Sequence, residues 1–469
     1  MSFVNLTKTR VCSFFDKMIL YFITGLLFLI LVSFVFWHVA RFHWLDKICG
    51  WIVISLPFER IPSLGVGGVN IRISQILVIV GLWVFAVLFV KKDEQLYKTY
   101  LNRTTYLIPL FFLFSLPSWL FVLDSRRFFS TILATIISFG ALFLLSNFAQ
   151  NIFEKIKKLI PVFVFVCIFG LYQFFGDLIG IPPYLTGLRI QYTKIVFGVP
   201  RIQGTALEPL YFAGMLFLPI FFISYWILSG KKAKLFSVGD FTIPPFFLLS
   251  FFVIIFILTI SKGAIISLLF TGFVALVFSL KKFKQVSFLN SFRKFIIILA
   301  SITTVSYFIF EKVSTVLNSL AENFVASVTF QFASSVERLD FLKAALAILP
   351  QHILLGIGSG QYGIWARDLV NFPTTVDSYL IVNNVYIEVW LEYGFISFFI
   401  FLLLLGLPIF ANFKNLLKDK NWNTEINLSR LIIGFSLIAY FIQWFTFSPI
   451  FIMPIFILLG LFTKLADLE

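Results

Sequence analysis

Apolar runs of about 20 residues recur along nearly the whole 469-residue chain, and a helix of that length crosses the hydrocarbon core of a bilayer. Hydrophobic residues make up 60% of the chain, charged residues make up 13%, and the mean hydropathy is +0.98. These values exclude a soluble globular domain and a disordered chain. The sequence therefore predicts an all-α polytopic membrane protein with about 12 transmembrane helices. The predicted spans are roughly 18–37, 73–90, 105–123, 128–148, 159–180, 206–228, 242–260, 264–280, 295–310, 386–411, 429–447 and 449–463.

Basic residues are distributed unequally between the loops on the two sides of these spans. One alternating set of loops (91–103, 151–158, 229–241, 281–294 and 412–430) holds 19 Lys and Arg, and the other (124–127, 181–205, 261–263 and 448–449) holds 6. Because short cytoplasmic loops are enriched in Lys and Arg, the first set is predicted to be cytoplasmic. This asymmetry accounts for the net charge of +15 without a nucleic-acid partner.

The N-terminal region leaves two topologies open. Lys8, Arg10 and Lys17 precede span 18–37 as in a signal peptide, but the apolar core is too long and no cleavage site follows, so a retained helix is predicted. A cytoplasmic N-terminus requires residues 38–72 to make no net crossing, with 44–57 dipping into the membrane or lying at its surface. The alternative is a thirteenth crossing with the N-terminus outside.

A stretch of about 75 residues, 311–385, separates two predicted spans on the outer face and is too long for a simple connection. Within it, Leu339, Leu342, Leu346 and Leu349 lie at helical spacing, which predicts an amphipathic helix on the bilayer or over a cavity. No repeat or linker separates a second domain. Residues 1–469 are therefore predicted to form a single membrane domain with one large periplasmic loop, 311–385.

The sequence contains no cofactor or metal motif. The run GIGSG at 356–360 predicts a tight turn, although its N–H groups could also bind an anion. No Gly-x4-Gly-Lys-Ser/Thr sequence occurs, so an ATP-driven pump is not supported. The histidines and cysteines are scattered, and no metal site or disulfide is expected. They are His38, His43, His352, Cys12, Cys49 and Cys167.

Ionisable side chains are nearly absent from the middle of the predicted spans and gather at their outer ends. Proton-coupled transporters tend to place carboxylates at the membrane midplane, so this distribution favours a site at the outer surface. The residues concerned are Arg126, Arg127, Arg189, Arg201, Glu208, Lys262, Arg338, Glu388 and Glu392.

Glu208 directly precedes Pro209, a pattern typical of a helix start, where the helix dipole favours a carboxylate. Two interpretations fit the preceding Arg201. It is either a lipid-headgroup anchor beside an ordinary N-terminal charge, or a phosphate ligand oriented by Glu208. Lys262 is likewise either an interfacial side chain or an anion ligand, and Arg338 is either a solvated charge or an anion ligand.

Glu388 and Glu392 lie four residues apart and therefore share one helix face, with Asn384 one turn earlier. A single carboxylate at a helix N-terminus is common. Two stacked carboxylates preceded by the amides of Asn383 and Asn384 favour a functional role.

Seven sequence features, taken in order, resemble the O-antigen ligase and polymerase superfamily of bacterial inner-membrane proteins. The Ser-Lys-Gly-Ala segment at 261–264 is similar to the family's usual Ser-Arg-Gly-Ala, with Lys262 in place of Arg. The features are LPFERIP at 56–62, NIRISQI at 70–76, RIQGTALEP at 201–209, SKGA at 261–264, Arg338, LGIGSG at 355–360 and NNVYIEVWLEYG at 383–394.

The resemblance implies a metal-independent, GT-C-like glycosyltransferase without cofactors. Such an enzyme takes a glycan from an undecaprenyl-pyrophosphate carrier and joins it to an acceptor hydroxyl at the periplasmic face of the inner membrane. Its partners would be the lipid-linked donor, a glycan or lipid acceptor, membrane lipid and other polysaccharide-assembly proteins. The expected diphosphate ligands are Arg201 and Arg338, then Arg189 and Lys262, with Tyr386 and Glu392 also in the substrate site.

In the ligase branch of this family, a His eleven positions before a Gly is taken as the general base. Here the Gly is Gly394, and the matching position holds Asn383, whose amide has no useful basicity. This difference favours a polymerase, in which the acceptor is another lipid-linked repeat unit. Glu388, then Glu208, would act as the base, and Asn383 and Asn384 would bind sugar hydroxyls.

Two alternatives remain beside the polymerase. One is a ligase that transfers glycan to a lipid, protein or wall acceptor. The other is a transporter of lipid-linked or small substrates, which the scarcity of charge within the predicted spans disfavours.

Overall fold

The computed structural model describes residues 40–66, 69–98, 101–188, 195–196, 199–230, 237–238, 241–280, 333–370, 380–419, 421–448 and 452–468. Several predicted features lie outside the described residues. They are the spans 18–37 and 295–310, residues 311–332 and 371–379 of the large loop, and the side chains Cys12, His38 and Arg189.

The described residues fold almost entirely into helices, which confirms the all-α prediction. The helices are α1 (His43–Ile54), α2 (Ile73–Val90), α3 (Glu94–Lys98), α4 (Leu107–Ser115), α5 (Ser125–Phe148), α6 (Ile152–Leu178), α7 (Pro183–Thr186), α8 (Pro209–Met215), α9 (Phe217–Leu228), α10 (Pro245–Leu258), α11 (Lys262–Leu280), α12 (Ala333–His352), α13 (Tyr362–Trp365), α14 (Val385–Tyr393), α15 (Phe395–Lys418), α16 (Glu425–Gln443) and α17 (Met453–Ala466). Short 3-10 turns lie at Arg103–Tyr106, Leu116–Phe121 and Gly204–Ala206.

Strands are confined to three short antiparallel hairpins in the described ranges. In each pair the two strands are adjacent in sequence. The pairs are β1 (Ser63–Val66) with β2 (Val69–Arg72), β3 (Ile195–Val196) with β4 (Val199–Pro200), and β5 (Ser237–Val238) with β6 (Phe241–Thr242).

Ten of the predicted spans correspond to apolar helical segments among the described residues. Eight are long and apolar enough to cross a membrane, and two are shorter. The eight are Ile73–Val90, Arg103–Phe121, Ser125–Phe148, Ile152–Leu178, Pro209–Leu228, Lys262–Ser279, Phe395–Lys418 and Glu425–Gln443, and the shorter two are Pro245–Leu258 and Met453–Ala466.

Two predicted boundaries differ from the structure for backbone reasons. The span predicted at 386–411 is divided at Gly394, whose φ of +83° separates α14 from α15. The apolar segment at 44–57 overlaps α1, which has twelve residues and is therefore about 18 Å long. A helix of this length does not reach across a core of about 30 Å, which favours partial insertion over a thirteenth crossing.

The large core lies among the long helices. Helix α5 packs along α17, α4 packs on α15, and α16 packs against α9 and α11.

A second, smaller core forms within the large loop and includes side chains of α12, α13 and α14. The helix predicted at 335–349 is found within α12, and its buried face matches the predicted leucine face only in part. Leu349 is buried and Leu342 packs against this core, but Leu346 is 47% exposed, and Phe341, Ala345 and Ile348 are buried as well. Small alanine side chains allow the close packing of α12 against its neighbours, which leucine spacing alone does not reveal.

Candidate functional site

Residues 443–448, at the C-terminal end of α16 and just beyond it, join the elements that carry the predicted site residues. Carbonyl groups of this segment accept hydrogen bonds from three other parts of the chain: Trp444 from the Val385 N–H (3.0 Å), Thr446 from the Arg338 guanidinium (3.0 Å) and Ser448 from the Tyr211 hydroxyl (2.7 Å). Thr446 also packs against α11, since a Cβ added to Gly263 would lie 2.5 Å from its Oγ1. Segments that are distant in sequence therefore meet at this turn.

Arg201 follows β4 and is held at the C-terminal end of α10. Its Nε donates to the Thr259 carbonyl (3.0 Å) and its Nη2 to the Ile260 carbonyl (3.2 Å), a placement that the helix dipole favours for a cation. A guanidinium has five N–H donors, so these bonds fix the side chain and leave further donors for a ligand. Burial and the nearby Arg338 lower the pKa of Arg201 to about 10, while Glu208 opposes this shift. The side chain therefore stays charged at neutral pH.

Two further cations stand close to Arg201. Arg338 lies on the exposed surface of α12, and Lys262 is the exposed first residue of α11. The charges of Arg201 and Arg338 both act on Lys262. Three like charges are thus within electrostatic reach of one another, and a bound anion would relieve their repulsion.

Glu208 supplies a negative charge beside these cations. It is the N-cap residue of α8, with Pro209 at the first helical position, which confirms the predicted helix start. Its Oε2 lies 3.9 Å from Nη2 of Arg60. Burial raises the pKa of Glu208, and Arg60, Arg338 and Arg201 act in the opposite direction. A carboxylate with a raised pKa is better suited to accept a proton.

Arg60 reaches this site because its loop is tied to Thr205. The N–H groups of Arg60 and Ile61 donate to the Thr205 carbonyl at 3.1 and 3.0 Å, and the Thr205 hydroxyl donates to the Pro57 carbonyl. The Arg60 guanidinium stands over the Tyr211 ring, 4.7 Å from its centre, in a cation–π contact.

The turn that contains Thr205 has an uncommon backbone geometry. Gly204 has a φ of +55°, and a Cβ there would lie 2.4 Å from the Phe212 ring. Leu207 also has a positive φ, of +58°. The fully buried Gln173 accepts a hydrogen bond from the Gly204 N–H at 2.7 Å. Strained backbone of this kind persists where the surroundings enforce it, as at many functional sites.

We call Arg60, Arg201, Lys262 and Arg338, together with Glu208, the cationic cluster. It combines four positive charges with one negative charge. Such an arrangement can bind a phosphate-bearing group through several donors, while the carboxylate orients an arginine or accepts a proton.

Glu392 has a different environment, because its carboxylate is bound by residues in and just after the tight turn at 356–360, which we call the glycine turn. Its two oxygens accept hydrogen bonds from the N–H groups of Gly360 (2.7 Å) and Tyr362 (3.2 Å). Burial raises the pKa of Glu392 to about 7, and these backbone bonds and Arg127 oppose the shift. The turn therefore binds an anion, as one interpretation of its sequence allowed, but that anion is a side chain of the same protein.

Glu388 is buried one turn earlier on α14. Its charge acts on the hydroxyls of Tyr362 and Tyr393, and it raises the pKa of Tyr362 after the larger effect of burial. Glu388 thus acts electrostatically on these tyrosines, whereas Glu208 forms an ion pair with Arg60 of the cationic cluster.

The remaining predicted site residues have local contacts. Asn384 is the N-cap of α14, where its side chain accepts from the Ile387 N–H. Asn383 has a φ of +59°, and its amide donates to the Ile381 carbonyl at 3.4 Å. The Tyr386 hydroxyl donates to the Phe441 carbonyl at 2.8 Å, so this tyrosine joins α14 to α16. Asn384 therefore stabilises the start of α14, and Tyr386 stabilises its packing on α16.

Arg60 and Tyr211 belong to the site although neither is predicted there from the sequence. Arg60 lies in the quoted segment 56–62, and Tyr211 follows Pro209 by two residues. The hydrogen bonds between the Arg60 loop and Thr205 join segments that are distant in sequence, so no pattern in the residues around Arg60 predicts them.

The fold and the site define a multi-pass, all-α membrane protein with an excess of positive charge where α8, α11, α12 and α16 meet. Within the described ranges, no three His, Cys, Asp or Glu side chains are arranged to hold a metal. Residues 246–402 match the family described as O-antigen ligase. Over this segment, the match confirms the resemblance to the O-antigen ligase and polymerase superfamily. No curated protein matches the chain.

The matched segment contains Lys262, Arg338 and the region around α14, whereas Arg60, Arg201 and Glu208 lie before it. The cationic cluster thus combines residues inside and outside the matched segment.

Proposed function

We propose that the protein is a polymerase that joins undecaprenyl-pyrophosphate-linked oligosaccharide repeat units into O-antigen or another exopolysaccharide. The observation that carries the proposal is that the charges of Arg60, Arg201 and Arg338 all act on Glu208, and that those of Arg201 and Arg338 also act on Lys262. The family match implies a lipid-linked glycan and an acceptor in general terms.

The cationic cluster suits the departure of a diphosphate. As the bond between the anomeric carbon and the carrier's phosphate oxygen breaks, the electron pair leaves with the diphosphate and its negative charge grows. Fixed cations stabilise this charge more in the transition state than in the ground state. We assign this task to Arg201 and Arg338, with Arg60 and Lys262 as further ligands.

The other half of the reaction needs a nucleophile. The acceptor hydroxyl attacks the anomeric carbon, a new C–O bond forms, and the hydroxyl proton passes to a carboxylate. Glu208 is our first candidate for this base, because its pKa is raised and the described contacts place it in the cationic cluster. Glu388 is the second candidate.

A large apolar cavity offers a place for the isoprenoid tail. It has a volume of about 360 Å³ and is lined by α9, α10 and α11, including Phe221, Phe246 and Phe273. The same helices α10 and α11 hold Arg201 at their connection and supply Lys262. We propose that the diphosphate binds there and the tail follows these helices.

A ligase is the second candidate function, and the description of the matched family favours it. The amide at Asn383 favours the polymerase, because the resemblance implies a basic His at this position in ligases. The products of the two enzymes differ, since a polymerase extends lipid-linked repeats and a ligase moves finished glycan to another acceptor.

The test is turnover of purified protein with lipid-linked repeat units, followed by separation of the products by size. A polymerase should make a ladder from repeat units alone, and a ligase should transfer glycan only when a second acceptor is added. The variant R201A/R338A should lose nearly all transfer. The matched control is R126A, which removes an exposed arginine with no described contact in the cluster. Full activity of R201A/R338A would contradict the diphosphate role.

A further inference from the structure

A second charged cavity lies at the other end of α6. Its volume is about 210 Å³, and it is formed by α1 and the first two turns of α6. Its lining consists of Asp46, Lys47, Gly50, Trp51, Ile54, Lys155 and Lys158. We call it the lysine pocket.

The lysine pocket is far from the cationic cluster. Lys155 precedes Gln173 by 18 residues on α6, which corresponds to about 27 Å along the helix axis. Gln173 binds Gly204, beside the turn that holds Arg60. This distance is close to the thickness of the hydrocarbon core, so the two sites belong to opposite ends of the membrane domain.

The charges of the lysine pocket are not balanced. Nζ of Lys155 donates to Asp46 at 2.7 Å and to the Gln150 carbonyl at 2.6 Å, which neutralises Asp46. Lys47 and Lys158 are exposed, and neither forms an ion pair with a carboxylate in the described part of the chain. Two ammonium groups therefore remain to bind an anion.

The pocket also has an apolar side that continues along α1. Trp51 and Ile54 follow Lys47 by four and seven residues and so lie on the same face. Trp51 is 60% exposed, as expected for an aromatic side chain at a membrane interface. The Lys155 side chain passes beside Gly50, with Cε 3.6 Å from where a Cβ would stand, which is an ordinary packing distance.

We propose that the lysine pocket binds the phosphate headgroup of an anionic phospholipid. Lys47 and Lys158 contact the phosphate, and an acyl chain lies along Trp51 and Ile54. The apolar face favours a lipid over a free anion, since a soluble phosphate gains no binding energy from contact with apolar side chains. The site is independent of the diphosphate site, because no residue of the cationic cluster lines it.

The test is native mass spectrometry of the full chain in detergent with phosphatidylglycerol or phosphatidylcholine of the same acyl chains. Two lysines near one anionic headgroup predict a preference for phosphatidylglycerol of roughly tenfold or more. In K47Q/K158Q this preference should fall to near one, and K47R/K158R should keep it. The matched control K414Q/K418Q removes two exposed lysines of α15 and should keep the preference.

Three outcomes would overturn the proposal. The first is that wild type and K47Q/K158Q prefer phosphatidylglycerol over phosphatidylcholine to the same extent. The second is that K47R/K158R loses this preference although gel filtration shows that it is folded. The third is full displacement of phosphatidylglycerol by excess inorganic phosphate while W51A retains wild-type lipid binding. That result would indicate a free-anion site. Reduced retention of both lipids in W51A supports the acyl-chain contact.

Discussion

Glu388 and Glu392 stand one helical turn apart on α14, but their surroundings differ. Glu392 accepts hydrogen bonds from the N–H of Gly360, in the glycine turn, and from the N–H of Tyr362, at the start of α13, whereas the charge of Glu388 acts on Tyr362 and Tyr393. The spacing of Glu388 and Glu392 in the sequence therefore does not reveal that their contacts differ. The contacts of Glu392 are those of a side chain that fastens the large loop to α14.

We expect E392Q to lower the stability of the protein. An amide presents one oxygen and one NH₂ group, so one of the two backbone N–H groups would face a donor. Loss of a buried charged acceptor costs about 1–3 kcal/mol. The measurement is thermal unfolding in detergent. The control E154Q, at an exposed pair with Lys157, should change stability by at most about 1 kcal/mol.

Tyr211 has two separable contacts, and two variants distinguish them. Y211F loses the hydroxyl bond to Ser448, which costs about 1 kcal/mol of stability, but keeps the ring beneath Arg60. Y211L loses both and should also reduce glycan transfer, because Arg60 loses its support. If both variants lose transfer equally, the ring is not what positions Arg60.

The glycine turn and the break between α14 and α15 form one structural element. Gly356 and Gly394 both have positive φ, and each is packed against backbone of the other segment. A Cβ on Gly356 would lie 2.6 Å from the Glu392 carbonyl oxygen and from the Gly394 nitrogen. This close approach explains why glycine is needed at 356, where the sequence alone predicts only a turn.

We expect G356A to loosen the large loop. The left-handed conformation alone costs a residue with a Cβ about 1–3 kcal/mol, and the clash adds to it. The matched control is G406A in α15, where a Cβ would meet nothing within 4 Å and should be neutral or stabilising by up to about 1 kcal/mol. Limited proteolysis of the large loop and thermal unfolding measure the effect. Equal behaviour of the two variants would refute the close-packing argument.

For the chain as a whole, the loop charges predict which side of the membrane each end of the helices faces. The cationic cluster is predicted to face outward, since the loops around it belong to the set with 6 basic residues rather than 19. The lysine pocket, at the other end of α6, is predicted to face inward.

Cysteine labelling tests this orientation. In a Cys12→Ser background, Tyr184→Cys lies in a predicted outer loop at a side chain that is 82% exposed, and an impermeant maleimide should label it in intact cells. Asn421→Cys, exposed beyond α15, should react only after the membrane is opened. The native Cys49 and Cys167 are buried and should stay unlabelled. The reverse pattern would invert the topology and contradict a periplasmic site.

The membrane class and most helices follow from the sequence, because a helix that lies in lipid needs a long apolar run. Such a run is recognisable without any knowledge of tertiary contacts. The start of α8 at Glu208 and Pro209 was predictable for a similar reason, since capping is a local property. The family resemblance also rests on short ordered segments, and the match at 246–402 confirms it.

Other features depend on contacts between distant segments. Arg60 joins Glu208 only because Thr205 binds its loop, and Arg338 approaches Arg201 and Lys262 only because the turn at 443–448 holds α12 beside α11. The buried face of α12 and the capture of Glu392 by the glycine turn arise in the same way. Such pairings depend on how distant segments pack together in three dimensions. Helical spacing and the order of charges along the chain describe only local relationships and therefore do not predict them.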